Sequence, residues 1–173
     1  MTVSTWLTDA EKDRLEAIFD AGSARVETAD EHWIHGWDEG QSFCRECAEK
    51  KIEELLAEKP EADICLDGGW GIEGDSLEFC ETCSRRLWNS LTQYGCESEV
   101  DHFEDNGFDP ADDDDCYSME RVVSSEGWGP YEDLPGSPYE KEQRHEYYTR
   151  LHNLGRRILA NLDKSNPETT AGR

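Results

Sequence analysis

Apolar residues in this chain fall in short, spaced groups set among acids, and the spacing predicts the elements. In "LTDAEKDRLEAIFDAG" (7–22) Leu15, Ile18 and Phe19 form a helical stripe. Thr8 stands before it with Glu11 three residues on, which predicts a helix opened by a capping box and stopped at Gly22. "ARVETADEHWIHGW" (24–37) reads as strand and turn. "CRECAEKKIEELLAEKP" (44–60) places Ile52, Leu55 and Leu56 on one helical face before Pro60. "ADICLDGGWGIEGDSLEF" (62–79) predicts short strands and a turn around Trp70. "CETCSRRLWNSLTQYG" (80–95) predicts a third helix, with Leu87, Trp88 and Leu91 inward and Gly95 at its C-terminal end.

Residues 97–115 hold ten acids and no Lys or Arg, which predicts a loop. "CYSMERVV" (116–123) has strand character, and "SSEGWGPYEDLPGSPY" (124–139) reads as a Gly/Pro linker. Ser137, Pro138 and Glu140 then predict a capped start to a long helix striped by Tyr147, Leu151, Leu154, Ile158 and Leu162. The expected fold is a small α+β domain with short strands and helices, followed by a long C-terminal helix. Its boundaries are an acidic domain over 1–125, a linker over 126–138, the helix over 139–165 and a frayed tail over 166–173.

Charge changes this picture more than length does. The formal net charge is −24, with residues 1–137 at −26 and residues 138–173 at +2. Such a body repels phosphate backbones and anionic membranes, so direct nucleic-acid and membrane binding are not expected. A basic partner protein or a cation is favoured. "MTVSTWLTDAEKDRLEAIFD" has no basic start followed by an apolar run, and no stretch reaches transmembrane length. The expected location is the cytoplasm, where seven cysteines stay reduced.

Two Cys-x-x-Cys pairs carry the chemistry: Cys44/Cys47 and Cys80/Cys83. Two thiolates so spaced reach one metal from a tight turn or helix start, and zinc takes four such ligands tetrahedrally. The flanks of the pairs also agree: "HGWDEGQSFCREC" and "GGWGIEGDSLEFCETC" share Gly-Trp, a later Gly, a Ser and Phe-Cys-x-x-Cys. Three ligand sets are open. One is His32, His35, Cys44 and Cys47. A second is Cys65, Cys80, Cys83 and Cys96. The third places Cys44, Cys47, Cys80 and Cys83 around a single ion. Two sites rank ahead of one, and Cys116 reads as a small buried residue.

Two ligands in a turn followed by two at a helix start, as in the first set, resembles the treble-clef arrangement of zinc fingers. The third set resembles a long-looped zinc ribbon. Both resemblances imply a closed, structural zinc. No His-x-Glu with Pro-Cys-x-x-Cys, no His-Glu-x-x-His and no phosphate-binding glycine loop is present, so an enzyme is not expected. A zinc-dependent hydrolase or a thiol oxidoreductase is the alternative.

The acids Glu97, Glu99, Asp101, Glu104, Asp105, Asp109, Asp112, Asp113, Asp114 and Asp115 form the expected contact surface. Carboxylates spread like phosphates can occupy a basic groove. In small size, acidity and lack of enzyme motifs the chain is similar in kind to phage and plasmid proteins that block restriction or CRISPR machinery. That likeness implies a nucleic-acid mimic inhibiting a DNA- or RNA-binding protein. The C-terminal helix offers a further expectation, a homodimer through its apolar stripe.

Overall fold

The computed structural model describes residues 6–37, 40–68, 73–129 and 136–165. The chain divides into two compact units, Val26–Gly95 and the combination of Met1–Arg25 with Cys96–Arg173. The Cys pairs and the acidic stretch, placed in one domain by the sequence, therefore belong to different units. The fold class is α+β, as expected: among the described residues five helices accompany six short strands. Among the described residues no helix is long and apolar enough to cross a membrane. The turn expected around Trp70, the middle of the linker (130–135) and the tail (166–173) lie outside the described residues.

The helical unit is built from α1 (Asp9–Ser23), most of α3 (Gln93–Asn106), α4 (Asp113–Glu126) and α5 (Pro138–Ser165). α1 opens as its sequence predicts: Glu11 N donates to the Thr8 hydroxyl, and Thr8 N donates to the Glu11 carboxylate at 2.7 Å. Leu15 and Phe19 are buried. Gly22 is the last residue but one of the helix, close to the expected stop. A Cβ there would come within 2.2 Å of the Cys116 Cβ, so glycine lets α1 approach α4. α5 also begins as predicted, with Ser137 N donating to Glu140 at 2.6 Å. Its stripe of Tyr147, Leu151, Leu154 and Ile158 is buried.

The expected acidic loop is instead the body of α3 and the start of α4. Hidden among the acids, Cys96, Val100 and Phe103 recur at four and three residues and are at most 1% exposed. Gly107, at φ 87°, ends this helix. Asp112 then caps α4 by accepting from Asp114 N at 2.9 Å. Asp113–Asp115 occupy its first turn, where the helix dipole favours negative charge. "CYSMERVV" is likewise helix, not strand. Cys116, Met119 and Val122 make a three-residue stripe that buries completely, and tertiary packing overrides the β preference of Tyr and Val. Past α4, the linker's first residues pack: Trp128 is 7% exposed and its indole donates to Glu16 at 2.7 Å.

The cysteine unit holds β1 (Thr28–Asp30), β2 (His32–His35), α2 (Arg45–Glu58), β3 (Cys65–Gly68), β4 (Glu73–Gly74), β5 (Arg86–Trp88) and β6 (Ser90–Leu91). β2 pairs antiparallel with β3, β1 parallel with β5, and β4 parallel with β6. No helix follows Cys80/Cys83, contrary to the prediction. The chain reverses there and returns as β5, with Leu87 buried and Trp88 41% exposed. Helical spacing of Leu87, Trp88 and Leu91 misleads because the reversal at the cysteines sets the local path. Gly95 falls in the first turn of α3, where its N–H donates to the Thr92 hydroxyl at 3.1 Å, rather than at a helix end.

Candidate metal centre

Each Cys-x-x-Cys pair is presented by a backbone device anchored to a strand. Phe43, just before Cys44, exchanges two hydrogen bonds with His32 at the start of β2, at 2.8 and 2.9 Å. Cys44 takes the N-cap position of α2 with an extended backbone, and Cys47 lies in the first turn. The second pair sits in a tight turn. Cys80 N donates to Arg85 O and Ser84 N donates to Cys80 O, both at 2.8 Å. Ser84 adopts φ 57°, a left-handed conformation rarely taken by residues other than glycine. Glu81 N donates to Ser42 O at 3.0 Å, which ties the turn to the residues entering α2.

These devices bring the four sulfurs of Cys44, Cys47, Cys80 and Cys83 to within 4.8 Å of one another. Cys44 Sγ lies 3.8 Å from Cys83 Sγ. A disulfide needs about 2.05 Å. A tetrahedron of thiolates about 2.3 Å from a zinc ion has edges of about 3.8 Å. The spacing thus fits a metal between four thiolates. Cys44 and Cys80 are each 1% exposed, Cys47 is half-buried and Cys83 is exposed. Ile34, Phe43, Ala48 and Leu87 complete the buried cluster around them.

The environment treats the thiols of Cys44, Cys47 and Cys80 unequally. Burial pushes up the Cys80 thiol, but backbone N–H groups of Cys44, Cys83 and Thr82 outweigh it and bring the thiol down to about 7. Burial holds Cys44 above the ordinary thiol value, and burial with neighbouring sulfurs does the same for Cys47. Arg85 stands beside the group. Its guanidinium lies 3.6 Å from Glu46 and 3.8 Å from Glu27, and thiolates at Cys44 and Cys83 would stabilise its charge further. A divalent cation would deprotonate all four thiols, and four soft sulfur donors in a tetrahedron select zinc or iron.

Of the three ligand sets open in the sequence, this geometry matches the single-ion set. Along the chain the helix-start pair precedes the turn pair, the reverse of the order that the treble-clef resemblance implies. Among the described residues no other group of three or more His, Cys, Asp or Glu side chains converges like this. His32 is buried with its backbone on Phe43, and its ring Nδ1 has no hydrogen-bond partner. His35 is exposed and pairs across the strands with exposed Cys65. Cys96 is wholly buried in α3, in the other unit, where burial and then the charge of Glu126 push its thiol up to about 12. Cys116 is buried in α4.

Two contributors escaped the sequence. Ser84 does a glycine's work without being one, and an arginine next to a cysteine pair is too common to stand out.

The predicted contact acids lie on α3 (Glu97, Glu99, Asp101, Glu104, Asp105), after it (Asp109), at the α4 cap (Asp112) and in its first turn (Asp113, Asp114, Asp115). Several serve the fold. Arg150 pairs with Asp101 and with Glu104, the latter through Nε at 2.9 Å. Arg25 Nε donates to Asp113 at 2.8 Å, and Asp115 accepts from Asp109 N at 2.8 Å. No protein-family model matches the chain, and neither a curated protein nor a solved structure matches it.

Proposed function

We propose that Cys44, Cys47, Cys80 and Cys83 hold one zinc ion as a structural centre. The chain then acts as a non-enzymatic binding protein, engaging a basic protein that otherwise binds DNA or RNA. The four-sulfur cluster carries the first half. Four protein ligands fill a tetrahedron and leave no position for a reacting water, unlike a three-ligand catalytic site. The second half is supported by the charge of the helical unit's surface. Glu97, Asp101 and Asp105 recur every four residues of α3, about 6 Å apart along the axis, with Asp101 shared with Arg150. Such a row of carboxylates suits a groove built for phosphates.

The test has two parts. Elemental analysis of protein prepared without a histidine tag should give one zinc per chain, and Cys80→Ser should give none. Iron in its place, or no metal in the wild type, rejects the zinc centre. For the contact, a fluorescent duplex is displaced by this chain from a purified restriction or CRISPR nuclease. Displacement should weaken steeply with salt and be lost on joint replacement of Asp105, Asp109, Asp112 and Asp114 by Asn. Asparagine still caps a helix at position 112, and Asp113 is left to hold Arg25. Equal displacement by the variant sinks the reading.

The thiol oxidoreductase reading has one observation in its favour, the Cys80 thiol lowered to about 7 with Cys83 exposed beside it. It requires Cys80 or Cys83 to react with a disulfide before any metal is removed. The structural reading requires both to stay silent.

A further inference from the structure

We propose that a tryptophan-walled cleft in the cysteine unit receives the ammonium group of a lysine side chain from a basic partner protein. The cleft measures about 450 Å³ and is lined by Trp33, His35, Trp37, Gln41 and Asp67, among others, and among the described residues no Lys or Arg lines it. Its shape follows from β2. Trp33 lies directly across from Asp67 of β3, so indole and carboxylate share one face of the strand pair. After His35 the chain turns at Gly36, whose φ is 82°. A Cβ at Gly36 would lie 2.1 Å from the Asp63 carbonyl oxygen, so only glycine makes this turn. Trp37 N then donates back to Ile34 O at 3.3 Å, which sets the second indole at the same end of the strand.

Indole faces attract cations through the ring quadrupole, and a carboxylate alongside adds charge. The chain already seats one ammonium on an indole here: Lys51 Nζ lies 5.1 Å from the Trp37 ring centroid, so Trp33 with Asp67 is the pair left to hold an incoming cation. Charge complementarity names the occupant. Residues 26–95 carry 17 Asp and Glu against six Lys and Arg, so the whole unit attracts a cation. An aromatic cleft of this size has room for a long side chain. The inference rests on the reading above that the partner is basic, and gives that partner one specific anchor beyond general charge.

The experiment titrates full-length, metal-loaded protein with Nα-acetyl-lysine methylamide, its trimethylated form, the neutral norleucine analogue and choline, at constant ionic strength. Indole N–H resonances of Trp33 and Trp37 are followed by NMR. Saturable shifts with the lysine probes and none with norleucine support the proposal. Trp33→Leu should weaken binding by about two- to thirty-fold, and Asp67→Asn should weaken it while keeping the cleft's shape. Zinc content shows that each variant is folded. Equal response to lysine and norleucine, no response, or unchanged affinity in both variants overturns it. Choline binding more than ten-fold tighter than either lysine probe overturns the protein origin of the ammonium. The four-Asn variant of the acidic helices should leave lysine binding unchanged. Failure of the contact surface and failure of the cleft are thereby told apart.

Discussion

Metal removal should unfold the cysteine unit and spare the helical one. Among the described residues the buried cluster of Val26–Gly95 contains six members, and two of them, Cys44 and Cys80, are proposed ligands. Ile34, Phe43, Ala48 and Leu87 are the cluster's other buried members, and Leu91 is the further buried apolar side chain of the unit among the described residues. Structural zinc contributes about 10–16 kcal/mol to folding, as much as the whole stability of an ordinary domain, about 5–15 kcal/mol. A chelator that outcompetes the site therefore removes more than such a unit holds in reserve. α2 contains 14 of the 85 residues in the five helices, so circular dichroism at 222 nm should fall by about one sixth. Thiol titration gives a sharper count. With metal bound, exposed Cys65 reacts at once, while Cys96 and Cys116, each 0% exposed, do not. One fast thiol should become five on chelation and seven in denaturant. If Cys83 and Cys47 react alongside Cys65 before chelation, or the circular dichroism is indifferent to the chelator, the argument from the four-sulfur geometry fails.

Other consequences follow from single contacts. Zinc with four thiolates carries a net charge of −2, and Arg85 offsets it; Arg85→Ala should speed zinc transfer to a chelator several-fold, with Arg85→Lys intermediate, read by a colorimetric zinc indicator. In the helical unit, buried His152 accepts from Leu7 N and contacts Trp128 O, both at 2.8 Å, and burial holds its pKa below the ordinary histidine value. Its folded pKa is the lower one, so its contribution is full above about 6.5, the unfolded value, and is lost as pH falls toward the folded value. Urea midpoints at pH 7.5 and 5 should differ more in wild type than in His152→Gln, and equal differences would remove His152 from the account. Gly22→Ala should cost about 1–3 kcal/mol by driving a methyl into Cys116. Adding Cys116→Gly should recover part of it in chemical denaturation, and no recovery would show the clash is not the cause.

What was legible in the sequence was local. Thr8 with Glu11 and Ser137 with Glu140 are reciprocal hydrogen bonds spanning three residues, so their spelling is their geometry. Each Cys-x-x-Cys likewise announced a metal-ready turn by itself. What failed needed information from elsewhere in the chain. Acids dominate 97–115, and charge density alone reads as loop. Yet Cys96, Val100 and Phe103 bury one face of α3, and Asp112–Asp115 are the favoured chemistry of a helix start. Acidity there described the solvent side of two helices and concealed their inner side.

The ligand set shows a different failure, one of weighting. His32 and His35 lie near Cys44 in sequence, while Cys80 follows Cys47 across 32 intervening residues. Nearness makes the histidines attractive, but closing a loop costs little more as it lengthens. Each doubling adds about 0.6 kcal/mol, so growing from eight residues to 32 adds about 1.2 kcal/mol. Two further thiolates in a tetrahedron readily offset that. Donor chemistry should outrank proximity whenever a second Cys-x-x-Cys is present. His32 then takes a different role: through its backbone it holds Phe43 at the entrance to α2, and so sets where Cys44 begins the helix.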